Sequence, residues 1–402
     1  MSFEKAFIPY DGYWSTPFCR WQGNFANMHS MVFAAEICKG AFPGRRISPG
    51  IFDGIVLGMT VPQKYSFYGA PWMAGMIGAS GITGPTIGQA CATSVKCVSV
   101  ASEGIEMGEN ETILVVTCDR TSNGPHIYYP NPLGIGGTGD KEDWVWDNFG
   151  HDPYAKNAMI ETAENVAEEA GISKEEQDEV AFLRYSQYQD ALKDNGAFLH
   201  RFLVVPIDVK DPSGRKVIAT VKGDEGFFPT TAEGLARLRP VVENGTVSYG
   251  TQTFPADGNA SIIVTTQEKA RELSRDPNIE IKILSYAEAR AKRGFMAMSI
   301  VPAARKALSS AGIGIKDVKA IKTHTPFAVN DVYFCREMGI KWEDMNNYGC
   351  SLVWGHPQGP TGARLIIELI EELVVKGGGY GLFDGCAAGD TAAAVVVKVD
   401  IK

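Results

Sequence analysis

The chain has 402 residues, 45% of them hydrophobic and 21% charged, which is a globular composition and too long for one ordinary core. Two or three domains, or one large layered α/β domain, are expected. The formal net charge of −9 argues against a general nucleic-acid binder, whose face would be basic. Eight scattered cysteines, with no CxxC pair and no paired Cys/His spacing, predict no metal site. No signal pattern and no apolar run of about 18 residues point to a membrane, so a reducing cytoplasm with free thiols is the expected setting.

In chain order, residues 6–9 read as a short strand and 10–24 as an aromatic loop to which no chemistry attaches. Residues 25–39 have helical spacing ended by Gly40, and 52–59 read as a strand. Residues 63–72 form a loop rich in Tyr, Phe, Gly and Pro, suited to an interface or a pocket rim rather than to a regular element. The run Gly88-Gln-Ala-Cys91-Ala-Thr-Ser94 is a tight turn feeding a helix over 92–108. Unpaired N–H groups and the positive dipole end at a helix start favour an anion, so the Cys91 thiol is expected to have a lowered pKa. A merely buried cysteine is the plainer alternative. Residues 111–119 form a near-continuous apolar run, the pattern of a buried strand.

Residues 122–155 read as a long, functional loop. Helices follow over 158–170 and 174–194, the second capped by Ser173 with Glu176, then short strands over 202–208 and 216–221. Arg184, Lys193, Arg201, Lys210, Arg215, Lys216, Lys222, Arg237 and Arg239 are singly solvated surface and collectively a candidate phosphate receiver. Strand patterns return at 257–266, 280–285, 318–323 and 380–383, and helical patterns from 267 and over 299–311 and 361–376. The stretch 256–266 echoes 388–398, each a Gly-containing turn before an apolar strand. The echo implies two related α/β halves with 122–250 inserted in the first.

Three further residues stand at strand ends or in Gly-rich loops, where α/β proteins gather ligands: His324, His356 and Cys386. Singly, each has a structural reading. With Cys91 they make one machine. A thiolate attacks a carbonyl and carries an acyl group, an imidazole takes the thiol proton, and a second thiol acts as acid/base at the neighbouring carbon. A further imidazole N–H and backbone amides hold the oxyanion.

These residues resemble the thiolase family. Gln89-Ala-Cys91-Ala-Thr-Ser94 resembles its nucleophile turn. Gly355-His356-Pro357 with Gly359 and Gly362-Ala363-Arg364 resembles its GHP-x-G-x-x-GAR signature, and Cys386-Ala-Ala-Gly389 its C-x-G-G signature. The resemblance runs from about residue 50 to the end. It implies a five-layered αβαβα fold: residues 1–121 as an N-terminal half, 122–250 as an inserted CoA-binding loop domain, 251–275 as the return and 276–402 as the C-terminal half. It further implies Cys91 as acylated nucleophile, His356 as its base and Cys386 as second acid/base. His324 stands where many members carry the Asn of N-E-A-F, which places the chain nearer the H-D-A-F branch. The amides of Cys91 and Ala388 would form a second oxyanion hole. Thr253 matches a residue beside the pantetheine, Met159 one lining the acyl pocket, and Phe327 follows His324 in the same motif.

Ala388 replaces a Gly, where a φ above zero would be strained. Ala158 replaces a common His, which widens the acyl pocket. A bulky or aryl β-ketoacyl-CoA, such as benzoylsuccinyl-CoA, fits that change. CoA is implied as cosubstrate with no tightly bound cofactor. A homodimer or higher oligomer and a separate zinc-ribbon/OB-fold partner subunit are implied by the branch. A β-ketoacyl synthase-type condensing enzyme and a non-catalytic acyl-CoA-binding scaffold are the competing readings.

Overall fold

The computed structural model describes residues 1–211 and 213–402. The β-branched apolar runs become strands β1 (Phe7–Ile8), β2 (Gly54–Gly58), β3 (Thr86–Ile87), β4 (Thr112–Arg120), β5 (Ala256–Thr265), β6 (Ile279–Arg290), β7 (Val318–Thr323), β8 (Gly379–Ala387) and β9 (Thr391–Ile401). They lie in the order β7-β8-β9-β6-β1-β5-β4-β2-β3 in an eleven-stranded mixed sheet. Its other two strands, Tyr13–Ser15 and Cys19–Arg20, pair with β5.

One pattern occurs twice. A parallel pair, β2–β4 or β7–β8, continues into an antiparallel pair, β4–β5 or β8–β9. The two echoing stretches fall on β5 and β9, which hold equivalent places. β1 is the seam: Phe7 pairs with Thr265 on one side and Lys282 on the other.

The helices that matter for the site are α1 (Ser30–Gly44), α2 (Gly69–Ile77), α3 (Thr93–Met107), α4 (Met159–Ala170), α5 (Lys174–Gly196), α6 (Ile300–Ala311), α7 (Ala328–Met338) and α8 (Gly359–Val375). α3 and α8 pack on each other and each touches strands of both halves, so they form the middle layer. α1 covers β4 and β5 from outside, and α6 covers β6 and β9. The result is the layering α-β-α-β-α.

A middle layer must be covered all round, and α8 is buried continuously from Gly359 to Leu373. Its approach to α3 requires small residues. A Cβ on Gly362 would stand 2.7 Å from Ser94 Oγ, and one on Gly359 2.7 Å from Asp119 Oδ2. Ser94 Oγ instead accepts the Ala363 N–H at 2.8 Å, tying the two helix starts together.

The structure departs from the sequence pattern in several places, among them the helix read over 25–39, which runs Ser30–Gly44 through Gly40, and the loop read over 10–24, which holds the strands Tyr13–Ser15 and Cys19–Arg20. Residues 63–72 are no loop rimming a pocket. Ser66–Tyr68 is a helical turn and Gly69 opens α2, which packs on α1 with Trp72 against His29. Within 122–155 lie a hairpin (His126–Tyr129 with Asp140–Asp143) and a short helix (Trp146–Gly150). Arg184 is wholly buried and paired to Asp331 at 2.8 Å, so it cannot receive a phosphate. Helix α7, directly after the His324 loop, has no clear sequence pattern because the polar Asn330 and Asp331 are buried on it together with its apolar residues. Ser173 and Glu176 do form the expected reciprocal cap, at 2.9 and 3.2 Å. Among the described residues no helix is long and apolar enough to cross a membrane.

Candidate active site

Three loops converge above the middle layer, and each carries a non-glycine residue in the left-handed region: Ala90 (φ +43°), Thr325 (φ +49°) and Gln358 (φ +67°). Such backbone strain persists only where surrounding contacts enforce it, and it clusters at functional sites. At the first loop Thr93 is the enforcer. Its hydroxyl donates to the Ala90 carbonyl at 2.7 Å and accepts the Gln89 N–H at 2.8 Å. Cys91 is thereby set immediately before α3. At the second loop, buried Asp331 accepts from Thr323 and Thr325 hydroxyls, Asn346 Nδ2 and Arg184 Nε at 2.7–3.1 Å. That clamp fixes His324.

Cys91 Sγ lies 3.0 Å from His356 Nε2, and His356 Nδ1 lies 2.7 Å from the Thr361 hydroxyl on α8. With Nδ1–H donating to Thr361, Nε2 is left as the acceptor facing the thiol. The His324 and His356 rings are 5.0 Å apart, and His324 Nε2 is 4.0 Å from Cys386 Sγ at the end of β8. All four predicted reactive side chains therefore meet in one place. The Ala388 amide lies close enough to Cys91 to favour its thiolate.

The helix start does not lower the Cys91 pKa in the free protein. Burial pushes the thiol up to about 12, against the Ala388 and Cys91 amides that favour the thiolate. Burial likewise lowers His356 to about 3 and His324 well below its ordinary value. Cys386 is pushed well up by burial, with Cys91 adding to the effect and Asn330 opposing it. The resting site is thus a neutral set of two thiols and two imidazoles. The acylating thiolate arises by proton transfer to His356 when a carbonyl is present, rather than standing preformed. Ala388 is also unlike its expectation: the left-handed residues are Gly389 (φ +82°) and Asp390 (φ +60°), so the alanine sits without strain.

The family profile described as "Thiolase, N-terminal domain" matches residues 13–268, and "Thiolase, C-terminal domain" matches residues 278–399. The chain belongs to the thiolase family. It is an enzyme of the acyltransferase kind. Among its relatives, an acetyl-CoA acetyltransferase of Syntrophomonas wolfei is 31% identical over 79% of this chain and 80% of that one. A beta-ketoadipyl-CoA thiolase of Pseudomonas knackmussii is 30% identical over 79% of each. The solved human mitochondrial 3-ketoacyl-CoA thiolase in complex with CoA superposes with a TM-score of 0.88 at 25% identity over 99% of each chain.

In this thiolase a pocket of about 620 Å³ opens beside the His356 loop. Phe227, Phe228, Tyr249, Leu235 and Leu238 give it an apolar wall, Gln252, Phe254, Leu352 and Val353 complete the lining, and the Phe254 carbonyl accepts the His356 N–H at 2.9 Å. Thr253, between two of those residues, spends its hydroxyl on the Ser351 carbonyl at 2.6 Å. Phe327 is buried and bridges to Gln252, joining the His324 loop to the pocket wall. Ala158 caps α4 and Met159 is its first residue, and α4 packs on the turn Met296–Ser299 beneath β8 and β9. The nine basic residues named from the sequence do not line the pocket. Its lining cation is Arg20, in the first 50 residues, which carried no motif.

Two further residues of this thiolase carried no sequence signal. Asn330, on the first turn of α7, donates its amide to Cys386 Sγ at 3.1 Å. Asp119, at the end of β4, accepts the Gly359 N–H at 2.8 Å together with three donors from Thr60 and Val61. It anchors the start of α8, which carries the Thr361 partner of His356, and burial pushes its carboxyl up to about 7. Asn330 reaches Cys386 only when α7 meets β8, and Asp119 reaches the start of α8 only when the two halves assemble.

Proposed function

We propose that the protein is a CoA-dependent thiolase, an acyl-CoA C-acyltransferase that cleaves a β-ketoacyl-CoA through an acyl-Cys91 intermediate. The 3.0 Å thiol–imidazole contact, with a second thiol across the pocket, carries this reading. In the first half-reaction the Cys91 proton passes to His356 Nε2 and sulfur attacks the β-carbonyl carbon. The Cα–Cβ bond breaks, its electron pair stays on Cα, and the Cys386 thiol protonates that carbon. The shortened acyl-CoA leaves. In the second, the Cys386 thiolate takes the proton of an incoming CoA thiol, whose sulfur attacks the thioester. Cys91 departs and recovers its proton from His356. The amides of Cys91 and Ala388 face the thioester oxyanion, and His324 faces the other. Run backwards, the same steps condense two acyl-CoA molecules.

For CoA we assign the 620 Å³ pocket, with Thr253 and Phe327 along the pantetheine path and Arg20 for a phosphate. For the acyl group we assign the space near Ala158 and Met159. The methyl of Ala158 favours a bulky β-ketoacyl group, aryl chains such as benzoylsuccinyl included. The Tyr65–Trp72 segment, packed on α1, lends that choice no support. A reducing cytoplasm suits the eight free cysteines. Self-association is favoured by the exposed turn of Tyr65, Phe67 and Tyr68, which lies beside edge strand β3 through the Ala70 N–H to Thr86 Oγ1 bond of 3.0 Å. A small zinc-ribbon/OB-fold chain is the proposed additional partner.

The test is thiol-dependent cleavage of a panel of aliphatic and aryl β-ketoacyl-CoA esters, with and without such a partner. Cleavage of at least one ester, lost in Cys386→Ala, is expected. Condensing activity that survives Cys386→Ala would favour a synthase, and CoA binding without cleavage of any ester a scaffold.

Asn330 is a positioning residue in this scheme. Its N–H stabilises the Cys386 thiolate, so Asn330→Ala is expected to raise the Cys386 pKa. Overall cleavage should slow about 10-fold or more, and the basic limb of its pH profile should move up. Alkylation of Cys91 by iodoacetamide, which draws on His356 and not on Cys386, should proceed at the parent rate. A proportional loss in both readouts would instead mark a general structural defect.

A further inference from the structure

The spacing of cysteines and histidines along the chain predicts no metal site, yet folding assembles a donor set that no single stretch contains. Cys91 Sγ and one ring nitrogen each of His324 and His356 all lie within 4.8 Å of one another. We propose that this triad is a reversible, inhibitory binding site for a thiophilic divalent cation, with Zn²⁺ the ion of matching chemistry.

The donors are one thiol and two imidazoles, the set that borderline-soft cations select over hard ones. Zinc bonds of about 2.0–2.3 Å in a tetrahedral arrangement separate ligand atoms by roughly 3.3–3.7 Å. The Cys91–His356 pair, at 3.0 Å, is already at that scale. The widest pair needs to close by about 1 Å. His356 is oriented as a ligand as well as a base. Thr361 holds its Nδ1, so the Nε2 lone pair faces the cavity, which is the outer-shell arrangement typical of metal-bound imidazole. Both histidines are buried while Cys91 is partly exposed, so an ion would enter past the thiol. Asp119 is excluded as a ligand because four donors already engage its two oxygens.

On binding, the Cys91 S–H proton leaves to solvent as the sulfur–metal bond forms, and each imidazole gives one lone pair. The ion keeps a fourth position, open to water, to Cys386, which lies 4.0 Å from His324 Nε2, or to an incoming thiol. Occupancy engages the nucleophile and its base together, which is why it would inhibit. His324 supplies the third protein ligand, and a carboxamide at that position would leave only two.

Zn²⁺ competition between the reduced, metal-stripped full-length protein and a chromophoric chelator tests this. We expect one ion per chain. Affinity should fall about 100-fold or more in His324→Asn, and stoichiometric binding should be lost in Cys91→Ser. Co²⁺ should give a thiolate-to-cobalt absorption band that is absent from Cys91→Ser. A variant whose far-UV dichroism departs from the parent's is replaced by His324→Gln or Cys91→Ala, with the same expectations. No stoichiometric ion, or affinity unchanged in both variants, overturns the proposal. These readouts are binding and absorption, so their failure leaves the acyl-transfer reading untouched.

Discussion

Replacing Cys91 by Ser is expected to lower thiol-dependent cleavage by at least about 10³-fold and to abolish transfer of a labelled acyl group from acyl-CoA to the protein. The change is nearly isosteric, so the turn held by Thr93 and the His356–Thr361 contact remain. What is lost is the nucleophile. A hydroxyl is far less acidic than a thiol, and burial, which already raises the thiol, bears at least as hard on an alkoxide. His356, kept neutral by its own burial, is too weak a base to compensate. Acyl label retained on the Ser variant would remove Cys91 from its assigned role. Mapping the label on the parent chain to another residue would do the same.

Arg364→Ala is expected to cost about 3–5 kcal/mol of folding stability, a large share of the about 5–15 kcal/mol available to a typical domain. The guanidinium is wholly buried and joins distant parts of the chain. It meets both oxygens of Asp224 at 2.6 and 2.7 Å and Glu368 at 3.0 Å, and lies 4.1 Å from the Trp354 ring centre and 4.8 Å from that of Phe18. Asp224 also accepts the Phe18 N–H at 2.7 Å and the Tyr188 hydroxyl at 2.8 Å. Removing the arginine takes the forked contact from Asp224 and leaves Glu368 with Lys322 alone at 3.8 Å, which is the costly way to break a buried pair. Arg364→Lys should recover little, because a point charge cannot satisfy the forked contact to Asp224 and the ring stacking together. Chemical denaturation read by far-UV dichroism checks both variants. An Ala variant with the parent's midpoint would mean that Asp224 and Glu368 are satisfied some other way.

The signature around Arg364 shows why part of this molecule was legible in the sequence. Gly355, His356, Gly359, Gly362 and Arg364 are each forced by a local requirement that only one residue type meets: a base, a close approach, a planar cation. The apolar β-branched runs were readable for the same reason, since strands buried on both faces leave no room for polar residues. Legibility failed where a residue's role depends on what the fold brings to it. The Cys91 pKa runs against the sequence expectation because the helix start is visible locally and the burial around it is not. Residues 63–72 looked like a rim because their aromatics carry no periodicity, yet Trp72 packs at His29. Asn330 and Arg20 are ordinary polar residues until α7 meets β8 and the N-terminal segment meets residues 226–228. Ala388 departed from its family's glycine harmlessly because the left-handed turn falls one residue later.

The separation of the reactive partners along the chain bears on how the enzyme is made. Cys91 and His356 are 265 residues apart, and the Ser94–Ala363 tie that joins their helices spans 269. Contacts of such separation form slowly, since most of the chain must be ordered before they are rewarded. The reactive pair therefore depends on long-range order rather than on any one local segment. A molecule with only its first half condensed holds Cys91 without His356 beside it, so the nucleophile–base pair exists only once both halves are in place.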